Sequence, residues 1–367
     1  MNLIALPMKS IKTFLTGVWL LAITQTCLGK QNGDTSTVCT KREPCCATDW
    51  HVPLGIMIDH NHLKGDWGVS YSFMNMNMKG TQHGQNPLTD PQVLESYDMT
   101  PEKMNTQMHM AMVMYGVTDR LTLMGMFGYA MNSMSMTMLP GMIMNGTVMT
   151  MSNNSMTSSS SGITDSRIYG TYRLFDKNDH RIILSLGVSL PTGSISATGT
   201  TLVGEGQRLA YPMQLGSGTF DLLPGISYSG IWRRKISWGM EADCNIKTMN
   251  NSAGYQLGNV YTGNAWVSYS FTKWISASLR IEEVVTGQIY GYDPQIAVLS
   301  YNDPSANSTN SGGSRTSACA GINLFKLKGA LKGTRILLEY DLPLIQDVQG
   351  IQMTCSGMLM AGVQYHF

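Results

Sequence analysis

Between Met104 and Met138 the chain alternates with a period of two residues. Met108, Met110, Met112 and Met114 alternate with Gln107, His109, Ala111, Val113 and Tyr115. After Gly116 to Arg120 the pattern resumes, with Leu121, Leu123, Phe127 and Tyr129 on odd positions and Met124, Met126, Met134, Met136 and Met138 on even ones. Successive side chains of a strand point to opposite faces, so this alternation predicts strands and excludes helix. The odd face carries branched and aromatic residues and the even face carries thioethers. We expect the first to meet lipid and the second to face the lumen of a transmembrane β-barrel. If the turn at Val117 to Asp119 is tight, Met112 pairs with Met124 and Met110 with Met126, about 5 Å apart at Cβ.

The same logic recurs along the chain. Trp67, Val69, Tyr71 and Phe73 oppose Gly68, Ser70, Ser72, Met74, Met76 and Met78, which puts methionine on the small and polar side. Further on, Arg167, Glu241, Arg280, Glu282, Arg335 and Glu339 each fall opposite an apolar face. On a lipid face a charge at mid-bilayer costs about 2 to 4 kcal/mol, so a lumen position is expected. The final residues alternate too: Leu359, Ala361, Val363, Tyr365 and Phe367 read as outward, and Met358, Met360, Gln364 and His366 as inward. The expected fold is all-β, an antiparallel up-and-down barrel of about twelve strands with an N-terminal periplasmic or plug segment. Short turns at Val117 to Asp119, Asp176 to Asp179, Arg233 to Lys235 and Thr272 to Lys273 are assigned to the periplasm, and the long loops to the outside.

Composition agrees where it bears on this choice. Only 13% of residues are charged, low for a soluble protein. After the N-terminus no apolar run nears the roughly 18 residues of a spanning helix. With 25 basic and 24 acidic residues there is no basic field for nucleic acid. Three segments follow. Residues 1–29 read as a secretory signal, with Lys9 and Lys12 before an apolar core. Residues 30–64 form a polar segment, and residues 65–367 the barrel. A lipidated Cys27 is a lesser alternative, since Gln25 and Thr26 fit a lipidation box poorly.

The 30–64 segment holds Cys39, Cys45, Cys46, His60 and His62, soft and borderline ligands suited to Cu(I) or Zn(II). The same cysteines, among six after the signal, are equally suited to disulfides in an oxidising compartment. Spacing does not choose between these readings.

Several short motifs carry a resemblance: Tyr115-Gly116-Val117-Thr118-Asp119-Arg120-Leu121-Thr122-Leu123, the Leu-Pro-Thr-Gly ending at Gly193, Gly216-Ser217-Gly218-Thr219, Glu339 to Pro343 and Gly350-Ile351-Gln352. Together they resemble the outer-membrane transporter family named for the MetA pathway of phenol degradation. Gly55 to His62, followed by Gly65-Asp66-Trp67, is similar to a Met-rich branch of that family. The resemblance implies a transporter in the outer membrane of a Gram-negative bacterium, embedded in lipid.

Two functions fit. The first is a channel binding or passing a soft metal, copper as Cu(I), along Met74, Met76, Met78, Met108, Met110, Met112, Met114, Met124, Met126, Met134, Met136 and Met138. Cys39, Cys45, Cys46, His60 and His62 would capture or deliver the ion, or meet a periplasmic partner. The second is a channel for small hydrophobic or aromatic molecules, for which polarizable thioethers suit equally. A structural barrel is a third reading. No cofactor is implied beyond the copper ion. An enzyme is not expected, since His109, Ser133 and Ser135 are placed at different heights on the wall.

Overall fold

In a computed structural model the described residues are 51–58, 60–139, 143–144, 147–148, 154–326, 329 and 332–367. The expected signal segment and Cys39, Cys45 and Cys46 lie outside them. The principal strands are β1 (Trp67–Gly84), β2 (Met99–Gly116), β3 (Leu121–Met138), β4 (Ser155–Ile163), β5 (Ser166–Lys177) and β6 (His180–Leu190). They continue as β7 (Asp221–Trp232), β8 (Ile236–Lys247), β9 (Val260–Thr272), β10 (Ile275–Thr286), β11 (Gly313–Phe325) and β12 (Thr334–His366). Each pairs antiparallel with its neighbours in sequence, except that β4 and β5 both pair with β3, and β12 returns to β1 to close the cylinder.

Closure carries a parity constraint. Omitting β4, eleven elements form the ring, and an all-antiparallel ring needs an even number of passes. The last element resolves this. At 33 residues β12 would extend about 110 Å, several times the thickness of a membrane. Its first half pairs with β11 and its second half with β1, both antiparallel. Across the two halves the Gln346 side chain bonds both the backbone N–H and the carbonyl of Cys355, and Arg335 donates to Gln364. β12 is therefore a hairpin that crosses twice, bending near Gly350 at φ 76°. The barrel has twelve passes.

Local sequence sets the turns. Asn178 and Asp179 adopt positive φ between β5 and β6, as do Arg233 and Arg234 between β7 and β8, the left-handed pairs that tight hairpins need. The first hairpin is wider than expected. Thr118 Oγ1 accepts from the amides of Arg120 and Leu121, and the ladder resumes at Gly116 with Thr122. Met114 therefore pairs with Met124 and Met112 with Met126, a two-residue shift from the register predicted for a tight turn.

Two further expectations are corrected. The polar stretch from Lys79 to Lys103 reads as loop in the sequence, but β1 runs to Gly84 and β2 starts at Met99. The Asn/Ser-rich stretch up to Gly162 likewise reads as loop in the sequence, but it contains β4, which pairs with Tyr129 to Thr137 of β3. Its serine run hides a strand because alternation there is written in serine against serine.

The outward face is Trp67, Tyr71, Leu123, Phe127, Tyr129, Ile168, Leu186, Leu279 and their like, all exposed. β1, β2 and β3 are each 18 residues long, whereas β5 to β11 have 11 to 13. On their upper halves the outward residues turn polar, and Asn105 bonds both Asn75 and Asn77 across the strands. This side of the wall stands above the apolar band, which spans about 25 Å in such barrels.

The hairpin reading of β12 predicts that an Asp347→Cys variant reacts with a membrane-impermeant maleimide on intact cells. Lys332→Cys should react only after the outer membrane is opened. A single pass would leave position 347 buried in lipid and unreactive.

Candidate functional site

The lumen is occupied on its periplasmic side by residues 51–58 and 60–64 of the N-terminal segment, which rise from the base and descend into β1. Its backbone polar groups are met by inward side chains from around the barrel. Glu241 of β8 accepts from the amides of Met57 (3.4 Å) and Ile58 (2.8 Å). Ser227 of β7 donates to the Ile58 carbonyl at 2.7 Å. Glu339 of β12 accepts from Gly55 at 3.2 Å, and Arg335 donates to the Val52 carbonyl. On the descent Asn61 donates to the Thr171 carbonyl and hydroxyl of β5, each at 2.9 Å, and the His62 amide donates to Thr122 of β3 at 2.8 Å. Val52 and Ile56 pack on Trp266 of β9.

Space for this segment is provided by missing side chains. An added Cβ at Gly225 would lie 2.6 Å from the Ile58 side chain. One at Gly68 would lie 2.7 Å from the His62 ring, one at Gly116 1.9 Å from the Leu63 carbonyl, and one at Gly362 2.9 Å from Leu54. All four glycines occupy inward positions of their strands. The notch at each one fits a residue of the segment, a signal the sequence contains but which alternation does not isolate.

The wall itself is divided. On β10 to β12, Arg280 donates to Glu339 (2.6 and 2.9 Å), Glu282 (2.6 Å) and Asn264 (2.6 Å), and Arg315 pairs with Glu282 at 3.2 Å. Arg280 is 2% exposed, so its charge is stabilised by these partners rather than by water. The opposite wall, β1 to β3, carries the thioethers. Gly68, Ser70, Ser72 and Met74 pair with Met114, Met112, Met110 and Met108, and Met76 and Met78 with Thr106 and Met104.

The predicted methionines fall into two groups. Met114, Met124 and Met126 form a lower cluster with Tyr169 and Leu223, flanked by Met110 and Met112. Met134, Met136 and Met138 form an upper cluster with Met99, Met104, Met156, Met213 and Leu209, against which Met78 packs. Leu209 and Met213 belong to the loop after β6, which folds over the upper lumen. There Ser158 and Ser160 of β4 donate to the carbonyls of Thr200 and Met213, each at 2.6 Å. Met74, Met76 and Met108 are half-buried between the two clusters. Beyond the strands, Tyr211, Tyr255, Ile296 and Leu299 form a further apolar cluster in the outer loops. Burial there pushes the Tyr255 hydroxyl up to about 12.

His60 and His62 meet a residue the sequence reading did not assign to metal, His366 of β12, with ring centroids 5.0 to 5.1 Å apart. Among the described residues Cys244, Cys319 and Cys355 form no disulfide; Cys39, Cys45 and Cys46, to which the disulfide and metal readings apply, lie outside them.

A closed cylinder with an apolar outer band, short turns on one side and long loops on the other defines a β-barrel of the outer-membrane type. The profile of the family described as Putative MetA-pathway of phenol degradation matches residues 136–295, in agreement with the resemblance carried by the motifs. No curated protein matches the sequence. An outer membrane channel from Pseudomonas putida F1 has the same fold, with a TM-score of 0.54 at 12% identity over 84% of this chain and 97% of its own. A Ralstonia pickettii toluene transporter aligns at a TM-score of 0.40 and 10% identity, over 83% of this chain and 90% of its own. A Pseudomonas aeruginosa FadL homologue aligns at 0.37 and 11%, over 82% and 89%.

Replacing Arg280 with Leu leaves Glu339 buried without its cation and Glu282 with Arg315 alone. The expected loss is about 3 to 5 kcal/mol, read as a lower denaturant midpoint for the heat-modifiable folded band in gel electrophoresis. Replacing Arg315, which is more open and holds one carboxylate, should cost clearly less.

Proposed function

We propose that the barrel is a channel for small hydrophobic molecules of aromatic type, which move along the thioether wall between the outer loops and the N-terminal segment. The observation that carries this is the division of the lumen. Inward charged groups lie on β5 (Arg167), β8 (Glu241) and β10 to β12, where Glu241 binds the segment and Arg280, Glu282 and Glu339 bind one another, while the inward positions of β1 to β3 offer an uncharged, polarizable surface continuous with Tyr169 and Leu223. Thioether chains adapt to irregular apolar solutes and to aromatic edges. The phenol named in the family description is of the same chemical class.

A relay for Cu(I) has less support from the same residues. Stepwise conduction needs weak, successive and accessible sites. The thioethers at the outer end, Met99, Met104, Met134, Met136 and Met138, are 0 to 4% exposed and packed on one another and on Leu209. Such packing serves an apolar filler better than an open row of ligands.

Uptake of a labelled aromatic solute into cells or proteoliposomes tests the proposal. Leu at positions 110, 112 and 126 together should leave uptake within about twofold, because Leu and Met differ little in volume and polarity. Lys at 112 should reduce it at least about tenfold, since a charge now faces the apolar solute. Loss of uptake in the triple Leu variant, with copper accumulation falling in parallel, would return the metal relay to first place. A Glu241→Ala variant frees two amides of the segment and should raise uptake. If it leaves uptake unchanged, the segment does not limit passage.

A further inference from the structure

The imidazoles of His60, His62 and His366 converge where the N-terminal segment leaves the lumen. One ligating nitrogen from each lies within 4.8 Å of the others, and the three ring-to-ring distances are 5.0, 5.1 and 5.0 Å. Three imidazoles bound tetrahedrally to one ion at about 2.0 to 2.1 Å would hold their ring centres roughly 5 Å apart. Ordinary packing of aromatic rings occurs at similar spacing in pairs. A closed triangle of three histidines is a different arrangement, because each ring must turn an edge toward a common point.

We propose that these three histidines form a binding site for a divalent first-row metal of the zinc class, which ties the N-terminal segment to the last strand. Three things besides the spacing favour this. The ligands come from two elements far apart in sequence: His60 and His62 leave the segment with one residue between them, and His366 ends β12. The ion would thus close a loop running around the barrel and constrain the segment more than a local site could. The wall also makes room for the site. Gly68 lies between His366 and Met114 in the ladders, and a Cβ there would sit 2.7 Å from His62 Nε2 and 3.0 Å from Met114 Cε. A side chain at 68 would force the His62 ring to shift. The chemistry of the set also fits, since neutral imidazoles suit zinc, copper and nickel ions, and three protein ligands leave a fourth position for water or the neighbouring thioether.

This inference concerns an anchoring ion, independent of what the lumen carries. It is tested on the full chain, folded in detergent without a polyhistidine tag, with Cys39, Cys45 and Cys46 replaced by Ser so that thiolates do not contribute. After treatment with a chelator, zinc is titrated calorimetrically, and Co(II) is added as a spectroscopic probe. One equivalent per chain is expected, with the visible band of a low-coordinate Co(II) complex. His62→Ala and His366→Ala should each weaken binding at least about tenfold, whereas His109→Ala and His180→Ala should not. Folding of each variant is checked by its heat-modifiable migration. Gly68→Ala keeps all three ligands but crowds the ring, and should also weaken the site. Absence of uptake by the parent chain, or uptake that persists unchanged in folded His62→Ala and His366→Ala chains, overturns the proposal.

Discussion

The structure depends on one requirement: inside a hydrocarbon layer no water is available to satisfy a backbone amide or carbonyl. The sheet must therefore close, and the bonds that close it lie at the extremes of the barrel. Trp67 and Phe367 exchange both of their backbone hydrogen bonds, at 2.9 and 3.0 Å. The antiparallel sense of that seam forces the even number of passes, and the even number forces the last element to fold back on itself. Closure also creates an interior that must be filled or lined, and the chain does both. It lines one side with methionine and serine and fills the base with its own N-terminal segment.

The interior shows how buried charge and backbone share one solution. Glu241, Glu339 and Arg335 would be costly on a closed wall without partners. They are instead satisfied by Arg280, by polar side chains of the wall, or by the amides and carbonyls of a segment that has no sheet of its own. The segment needs the carboxylates as much as they need it. The inward positions of β1 to β3 carry no charged group, so apart from the His62 amide on Thr122 that wall presents dispersion and apolar contact rather than salt bridges.

Much of the fold was legible in the residues. Strict alternation gave the strands, the inward charges gave the sidedness of the wall, and the Arg233 and Thr272 turns gave the periplasmic ends. The missed parts have physical reasons. β4 is a strand of serines, whose two faces look alike until Ser158 and Ser160 are seen donating to the folded-over loop. The register of β2 on β3 turned on how Thr118 caps its hairpin, a choice of one hydroxyl that moves every pair by two residues. The site was harder still. His60 and His62 stood out as possible ligands, but His366 read only as the inward member of a final strand, and only closure brings the chain end to the segment. Gly68, Gly116, Gly225 and Gly362 look like ordinary barrel glycines until the segment is placed against them.

The seam also dictates an order of events in assembly. The first and last residues of the cylinder are partners, so the most distant pairing in sequence completes the wall, and topologies rich in such contacts form slowly because loop closure precedes any gain. Until that pairing forms, β1 and the second half of β12 both present unpaired edges, the feature that invites other chains to add on. Residues 51–58 and 60–64 sit inside the ring that this event seals. They must be in place as the ends meet or be threaded in afterwards through the base. A chain that reaches the membrane with this segment seated carries its own template for drawing β12 toward β1, since Val52 and Gly55 hold Arg335 and Glu339 of one edge while Leu63 and Asp66 lead straight into the other.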